Sequence, residues 1–172
     1  SERKYAATLH KGIKGRETWI ARATEGMKKW EKDPQNPVMT SALHPDLKIK
    51  HWRDPFVWQE NSKWYTVLGG QLRHPRRGAV FLYESSDLVH WTFLHILYEG
   101  KPRQDRAWEC PNLFSLGVKH ILIVSPFNSV KYYLGEYKDN KFQVEKQGLL
   151  DHGKHFYATQ LIQDNSQDRA IL

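Results

Sequence analysis

The feature that most constrains the fold is a recurring pattern of turns and strands along the chain. Thr24-Glu25-Gly26-Met27-Lys28-Lys29-Trp30 matches Ser85-Ser86-Asp87-Leu88-Val89-His90-Trp91 as hydroxyl, turn, apolar residue and closing Trp, an offset of 61 from Trp30 to Trp91. A second unit runs Asp54-Pro55-Phe56-Val57-Trp58, a turn at Glu60-Asn61-Ser62, then Lys63-Trp64-Tyr65-Thr66-Val67-Leu68. It returns as Cys110-Pro111-Asn112-Leu113-Phe114, a turn at Leu116-Gly117-Val118, then Lys119-His120-Ile121-Leu122-Ile123-Val124, an offset of 56 from Pro55 to Pro111. A weaker third copy, 48 residues on from Pro111 to Thr159, is Ala158-Thr159-Gln160-Leu161-Ile162, a turn at Asp164-Asn165-Ser166, then Arg169-Ala170-Ile171-Leu172. Repeats of this length, each reading as about four short strands, are the pattern of propeller blades. A sandwich also spaces short strands regularly, but it does not repeat the same turn chemistry.

Local signals agree. Residues 63–68, 79–83, 91–97, 120–124 and 131–135 are β-branched or aromatic runs bounded by Gly, Pro, Asn, Asp and Ser. No stretch carries an apolar period of 3.6 residues, so the chain reads as all-β, in hairpins. At roughly 50 to 60 residues per blade, 172 residues hold about three blades, fewer than the four to eight that close a propeller. The expectation is an interior piece of a single propeller domain, truncated at both ends.

Charge and composition exclude several classes of function. The net charge is +7, yet the cationic residues are scattered, and no basic-region, zinc-finger or phosphate-loop pattern accompanies them. No nucleic-acid partner is expected. No apolar run approaches the roughly 18 residues of a membrane span, so no membrane partner is expected either. The sequence does not open on a signal-peptide pattern, and compartment stays open. The single cysteine, Cys110, rules out an internal disulfide and a Cys-rich zinc site, and the nine His show no metal spacing. Neither metal nor cofactor is expected. Gly69-Gly70 reads as a turn or bulge before a basic loop, Arg73-His74-Pro75-Arg76-Arg77.

The first strand of every blade lines the channel, so equivalent repeat positions converge in space. The first copy presents Arg53-Asp54, the second Glu109-Cys110 and the third Tyr157-Ala158. Two carboxylates from adjacent inner strands would thus point to one axial pocket. Paired carboxylates are what glycoside cleavage needs, one to protonate the leaving oxygen and one ionised to stabilise oxocarbenium-like charge. Trp52 and Trp108 stand beside them as a candidate apolar wall for a sugar ring. Tyr157 is expected to pack. Ordinary turn and rim chemistry accounts for the same residue types.

Trp52-Arg53-Asp54-Pro55 and Trp108-Glu109-Cys110-Pro111 resemble the Arg-Asp-Pro and Glu-Cys motifs of glycoside hydrolase family 32, the invertases, levanases and inulinases. Asp151-His152-Gly153-Lys154-His155-Phe156-Tyr157-Ala158 is similar to the family's third block. The Ser85 to Trp91 turn and Asn36-Pro37-Val38 are similar to its connectors. The resemblance runs from about Trp19 to the end. It implies a five-bladed β-propeller, usually followed by a β-sandwich, with the first blade and the sandwich absent here. The missing blades, or neighbouring chains, would be needed for closure. It also implies a retaining β-fructosidase that cleaves terminal β-D-fructofuranosyl bonds of sucrose or fructan oligosaccharides.

By the same resemblance Glu109 is the general acid/base, Asp54 the transition-state stabiliser and Arg53 a bidentate donor to the sugar. Cys110 neighbours the acid, and Asp151 and Lys154 shape the aglycone side; Trp108, from its place beside Glu109, stays the candidate substrate-binding wall. One departure stands out. The family carries its nucleophilic aspartate in an Asn-Asp-Pro motif, which this sequence lacks; Asp33-Pro34, in a Lys-rich turn, is no substitute. The nucleophile is expected upstream of Ser1. The alternatives are a carbohydrate-binding propeller that lacks the nucleophile, and another five-bladed glycosidase acting on arabinan or xylan.

Overall fold

The computed structural model describes residues 4–11, 15–153, 155–164 and 169–172. Strands β1 (Lys4–Lys11), β2 (Gly15–Thr24) and β3 (Lys29–Lys32) form a three-stranded sheet. A four-stranded sheet follows from β4 (Ile49–Glu60), β5 (Lys63–Arg73), β6 (Arg76–Ser85) and β7 (Trp91–Glu99), paired in sequence order. The next repeats that order with β8 (Glu109–Leu116), β9 (Lys119–Ser125), β10 (Lys131–Lys138) and β11 (Lys141–Leu149). A final hairpin joins β12 (Ile162–Asp164) to β13 (Arg169–Ile171), with Ile162 opposite Ile171. Among the described residues the only helical pieces are two 3₁₀ turns, Glu25–Met27 and Ser41–Leu43.

Turn chemistry explains the hairpins. Asn61 and Ser62 both take positive φ between β4 and β5, as do Asp139 and Asn140 between β10 and β11. Two residues of that hand match the twist of the strands they join. The repeated Trp turn shares a positive-φ residue and an indole hydrogen bond in its two copies. Met27 and Leu88 have φ of 71° and 70°, and Trp30 Nε1 and Trp91 Nε1 each donate at 3.0 Å to the carbonyl three residues back, Met27 and Leu88 respectively. Ser85 Oγ and the Asp87 carboxylate take up the free amides of Leu88, Val89 and His90 in the second copy.

The sheets stack face to face, and strand alternation divides the core between neighbouring sheets. Val67, Val80 and Leu82 of the first four-stranded sheet meet Leu113, Leu122, Val124 and Tyr133 of the second. Leu68, Phe81 and Tyr83, one residue on, face the other way toward Ile20 of the three-stranded sheet and Met39, which bridges to Thr18 beside it. Phe114 and Ile123 repeat the arrangement against Leu161 and Ala170 of the last hairpin. Central strands apolar on both faces belong to blades, not to a sheet with one solvated face.

Gly69 and Gly70 are not a turn. They lie inside β5, and a Cβ on Gly69 would fall on the Trp108 carbonyl. The neighbouring Gly70 carbonyl accepts from Trp108 N at 3.1 Å. The glycines let the chain leading into β8 cross close above β5.

Candidate active site

The three first-strand positions of the repeat meet, and they do so through one backbone device. Asp54, Cys110 and Ala158 occupy the same place in the three copies, and all take positive φ, at 60°, 46° and 55°. In β4 and β8 this coincides with breaks in ladder register, between Arg53 and Phe56 and between Glu109 and Asn112. Such bulges bend the strand and re-aim its side chains. The residue before each bend, Arg53, Glu109 and Tyr157, is thereby turned into one cluster. Arg53 Nη1 lies 3.2 Å from Glu109 Oε1, and Tyr157 Oη donates to Glu109 Oε2 at 2.8 Å.

Glu109 is held at both oxygens and is largely enclosed, with its side chain 13% exposed. Asp54 is coupled to it through the next residue: its Oδ2 accepts from Cys110 N at 3.0 Å, with the thiol at 3.7 Å. Burial, and then the Asp54 charge and hydrogen bond, push the Cys110 thiol up to about 12. The thiol is therefore neutral, a donor to Asp54 rather than a nucleophile.

Behind the carboxylates lies a cationic layer. Arg53 Nη2 and Arg16 Nη2 reach His51 Nδ1 at 3.0 and 3.2 Å. A guanidinium only donates, so Nδ1 is the unprotonated nitrogen. Burial, then the charges of Arg16, Arg53, Lys50 and Arg106, lower the His51 pKa and keep the ring neutral. Arg16 itself is lowered by burial and by Arg53, and held charged by Asp54 and Glu109. Arg53 Nε and Arg16 Nη1 are buried without a hydrogen-bond partner among the described residues.

Tyr157 does not simply pack. It is 38% exposed, and its hydroxyl also accepts from Phe127 N at 3.1 Å and lies 3.2 Å from the Ser125 carbonyl. Its place in the repeat, level with Arg53 and Glu109, is the sequence signal that marks it. Arg16 and His51 carry no such signal.

Trp108 is not part of a sugar wall, because its ring is fully buried between the two four-stranded sheets. Its Nε1 donates to Asp105 Oδ2 at 3.0 Å, and it stacks on Tyr98. A Cβ on Gly78 would fall on the indole, so that glycine makes the slot. Trp52 is likewise buried, on the opposite side of the first four-stranded sheet, donating to Tyr83 Oη at 3.0 Å. Asp151 Oδ2 accepts from Gly153 N at 2.6 Å and shapes its own turn. Lys154 lies outside the described residues. Among the described residues no group of three His, Cys, Asp or Glu side chains is placed to hold a metal ion.

A carboxyl held by an arginine and a tyrosine, with a second carboxylate at the preceding copy of the repeat, matches the paired-carboxylate pattern of glycoside hydrolases. The chain belongs to glycosyl hydrolases family 32, whose N-terminal domain profile matches residues 5–172. A sucrose-6-phosphate hydrolase of Bacillus subtilis is 34% identical over 146 residues, 74% of this chain and 30% of its own length. An insoluble-isoenzyme β-fructofuranosidase of Arabidopsis thaliana is 30% identical over 176 residues, 85% of this chain and 29% of its own. The chain thus spans about three tenths of the length of these curated relatives. Among solved structures, the family 32 β-fructofuranosidase of Bombyx mori superposes with a TM-score of 0.80 at 32% identity, covering 94% of this chain and 38% of that one. A variant of that protein is known in complex with sucrose. Fructan 1-exohydrolase IIa of Cichorium intybus, at 21% identity and a TM-score of 0.80, shares the fold over 98% of this chain and 36% of its own.

Proposed function

We propose that the full-length protein is a retaining β-fructosidase that releases terminal β-D-fructofuranosyl units from sucrose or fructans. The observation that carries this reading is the clamp on Glu109, with Arg53 at one oxygen, Tyr157 at the other and Asp54 anchored on the next residue. Glu109 protonates the leaving-group oxygen as the glycosidic bond breaks, and later takes the proton of the water that releases fructose. Asp54 stabilises the positive charge that develops on the sugar ring and grips its hydroxyls. Arg53 Nε and Arg16 Nη1, buried donors without a partner among the described residues, find acceptors in sugar hydroxyls.

A retaining reaction needs a second carboxylate about 5 Å from the acid to form the glycosyl-enzyme intermediate. This sequence has no Asn-Asp-Pro motif, so the nucleophile belongs to protein outside these 172 residues, as do the remaining blades of a five-bladed ring. Asp151 and Lys154 are assigned to the aglycone side. Relatives named sucrose-6-phosphate hydrolase and β-fructofuranosidase, and the sucrose complex of the Bombyx mori structure, support this substrate class.

The test is product analysis with the full-length protein on sucrose, inulin and levan, the anomer of newly released fructose being read by NMR. Fructose released as the β-anomer supports the reading. Binding of fructose without hydrolysis would make the protein a lectin-like propeller, and release of the opposite anomer would refute the retaining mechanism.

A further inference from the structure

Between the two four-stranded sheets, at the same end as Glu109, lies a cleft of about 360 Å³ lined by Tyr98, Gln104, Asp105, Lys131, Tyr133 and Gln147. Its distance from the acid follows from the strand pairing. Glu109 pairs with Ser125, the adjacent Val124 with Lys131, and Lys131 with Leu149. At about 4.8 Å per strand, Lys131 stands about 10 Å outward from Glu109 along one row, and the cleft opens beyond it. The loop from Gly100 to Trp108 separates the two, running from the cleft wall directly into Glu109. That loop is tied down where Arg103 N donates to the Arg76 carbonyl, Trp108 N to the Gly70 carbonyl and Gln71 Nε2 to the Arg106 carbonyl.

The chemistry of the lining is specific. Its carboxylates are already paired within the protein, Glu99 with Arg77 at 2.9 Å and Asp105 with Lys131 at 2.9 Å and with Trp108. Among the described residues, nothing hydrogen-bonds to the hydroxyls of Tyr98 and Tyr133 or to the side-chain amides of Gln104 and Gln147. Tyr133 lines the cleft while only 4% exposed, and its ring is fixed against Tyr98 and Trp108 with centroids 4.7 and 5.4 Å away. Preorganised phenol and amide groups with no net charge suit a neutral polyhydroxylated ligand; an ion or an apolar group would leave them unpaired.

Building on the proposed fructosidase activity, we propose that this cleft is a distal subsite for a further glycosyl unit of an oligosaccharide whose terminal fructosyl group sits at Asp54 and Glu109. A substrate extended outward across the second sheet engages both places, whereas sucrose engages only the first. The cleft therefore sets preference by chain length.

The test uses the full-length protein with sucrose and with inulin-type fructo-oligosaccharides, comparing wild type with Tyr133→Phe and Gln147→Ala. Each variant is expected to raise KM for the oligosaccharide by about three- to tenfold, the effect of one lost hydrogen bond, and to leave sucrose kinetics unchanged. Unchanged oligosaccharide KM, or equal rises for both substrates, overturns the subsite. Calorimetric binding of the oligosaccharide to Glu109→Gln, with and without Gln147→Ala, separates this inference from the activity itself. If wild type hydrolyses neither substrate, the proposed activity fails, yet weaker binding in the double variant still upholds the cleft. Equal binding in the single and double variants refutes it.

Discussion

Alkylation of Cys110 reads the charge of Asp54. Only the thiolate reacts with iodoacetamide, so the rate follows the ionised fraction. With its pKa pushed up from 9.0 to about 12, Cys110 at pH 8 holds about a thousandfold less thiolate than an ordinary thiol. The raised value has burial as its first cause and Asp54 as its second. Replacing Asp54→Asn removes the charge and leaves the burial. The thiolate fraction is then expected to rise about tenfold, equivalent to about 1.4 kcal/mol, while staying below that of a free thiol. The assay is mass-spectrometric labelling of the Cys110 peptide in native full-length protein from pH 7 to 10.5. In wild type the rate climbs about tenfold per pH unit across the whole range, whereas a thiol of pKa 9.0 levels off near pH 9. Levelling near pH 9 in wild type, or an Asp54→Asn curve superimposed on it, would refute the coupling of Asp54 to the residue beside Glu109.

Other consequences are open to simpler measurement. Gly78→Ala places a methyl on the Trp108 indole and should cost about 1–3 kcal/mol in urea denaturation; unchanged stability would contradict the slot. Asp105→Ala leaves Lys131 and Trp108 Nε1 unpaired in a largely buried setting and should cost about 3 kcal/mol by the same method. Tyr157→Phe removes a donor to Glu109 and should lower kcat about ten- to a hundredfold with little change in KM; an effect on KM alone would make Tyr157 a substrate contact. His90, through its side chain and then its amide, holds the Asp87 carboxyl well below the usual carboxylate range. The stability it contributes is complete above about pH 4 and is lost as pH falls below that, so Asp87→Asn should flatten the acid limb of the denaturation curve.

Much of this was legible because the repeat is written in turn residues, whose backbone demands are local. The Trp30 and Trp91 turns share a positive-φ residue and a hydrogen bond, and both can be read from seven-residue windows. Counting from one copy to the next also lines up Arg53, Glu109 and Tyr157. What spacing does not reveal is the depth at which a side chain sits. Trp52 and Trp108 flank the carboxylates in sequence, yet the bends that turn Arg53 and Glu109 into the site leave both rings between sheets. Trp108 finds room there only because Gly78 and Gly100 lack side chains, a long-range dependence invisible along the chain. Gly69-Gly70 is a case of the same kind, since close approach by another segment, not a turn, selects glycine there. His51 and Arg16 meet across 35 residues without a motif.

The most direct test of the account is turnover by the full-length protein beside its Glu109→Gln variant, with sucrose as substrate. An acid/base positioned by Arg53 and Tyr157 predicts a loss in kcat of about 10²–10⁴-fold, with sucrose binding retained in calorimetry. Turnover of the variant within a few-fold of wild type would contradict it.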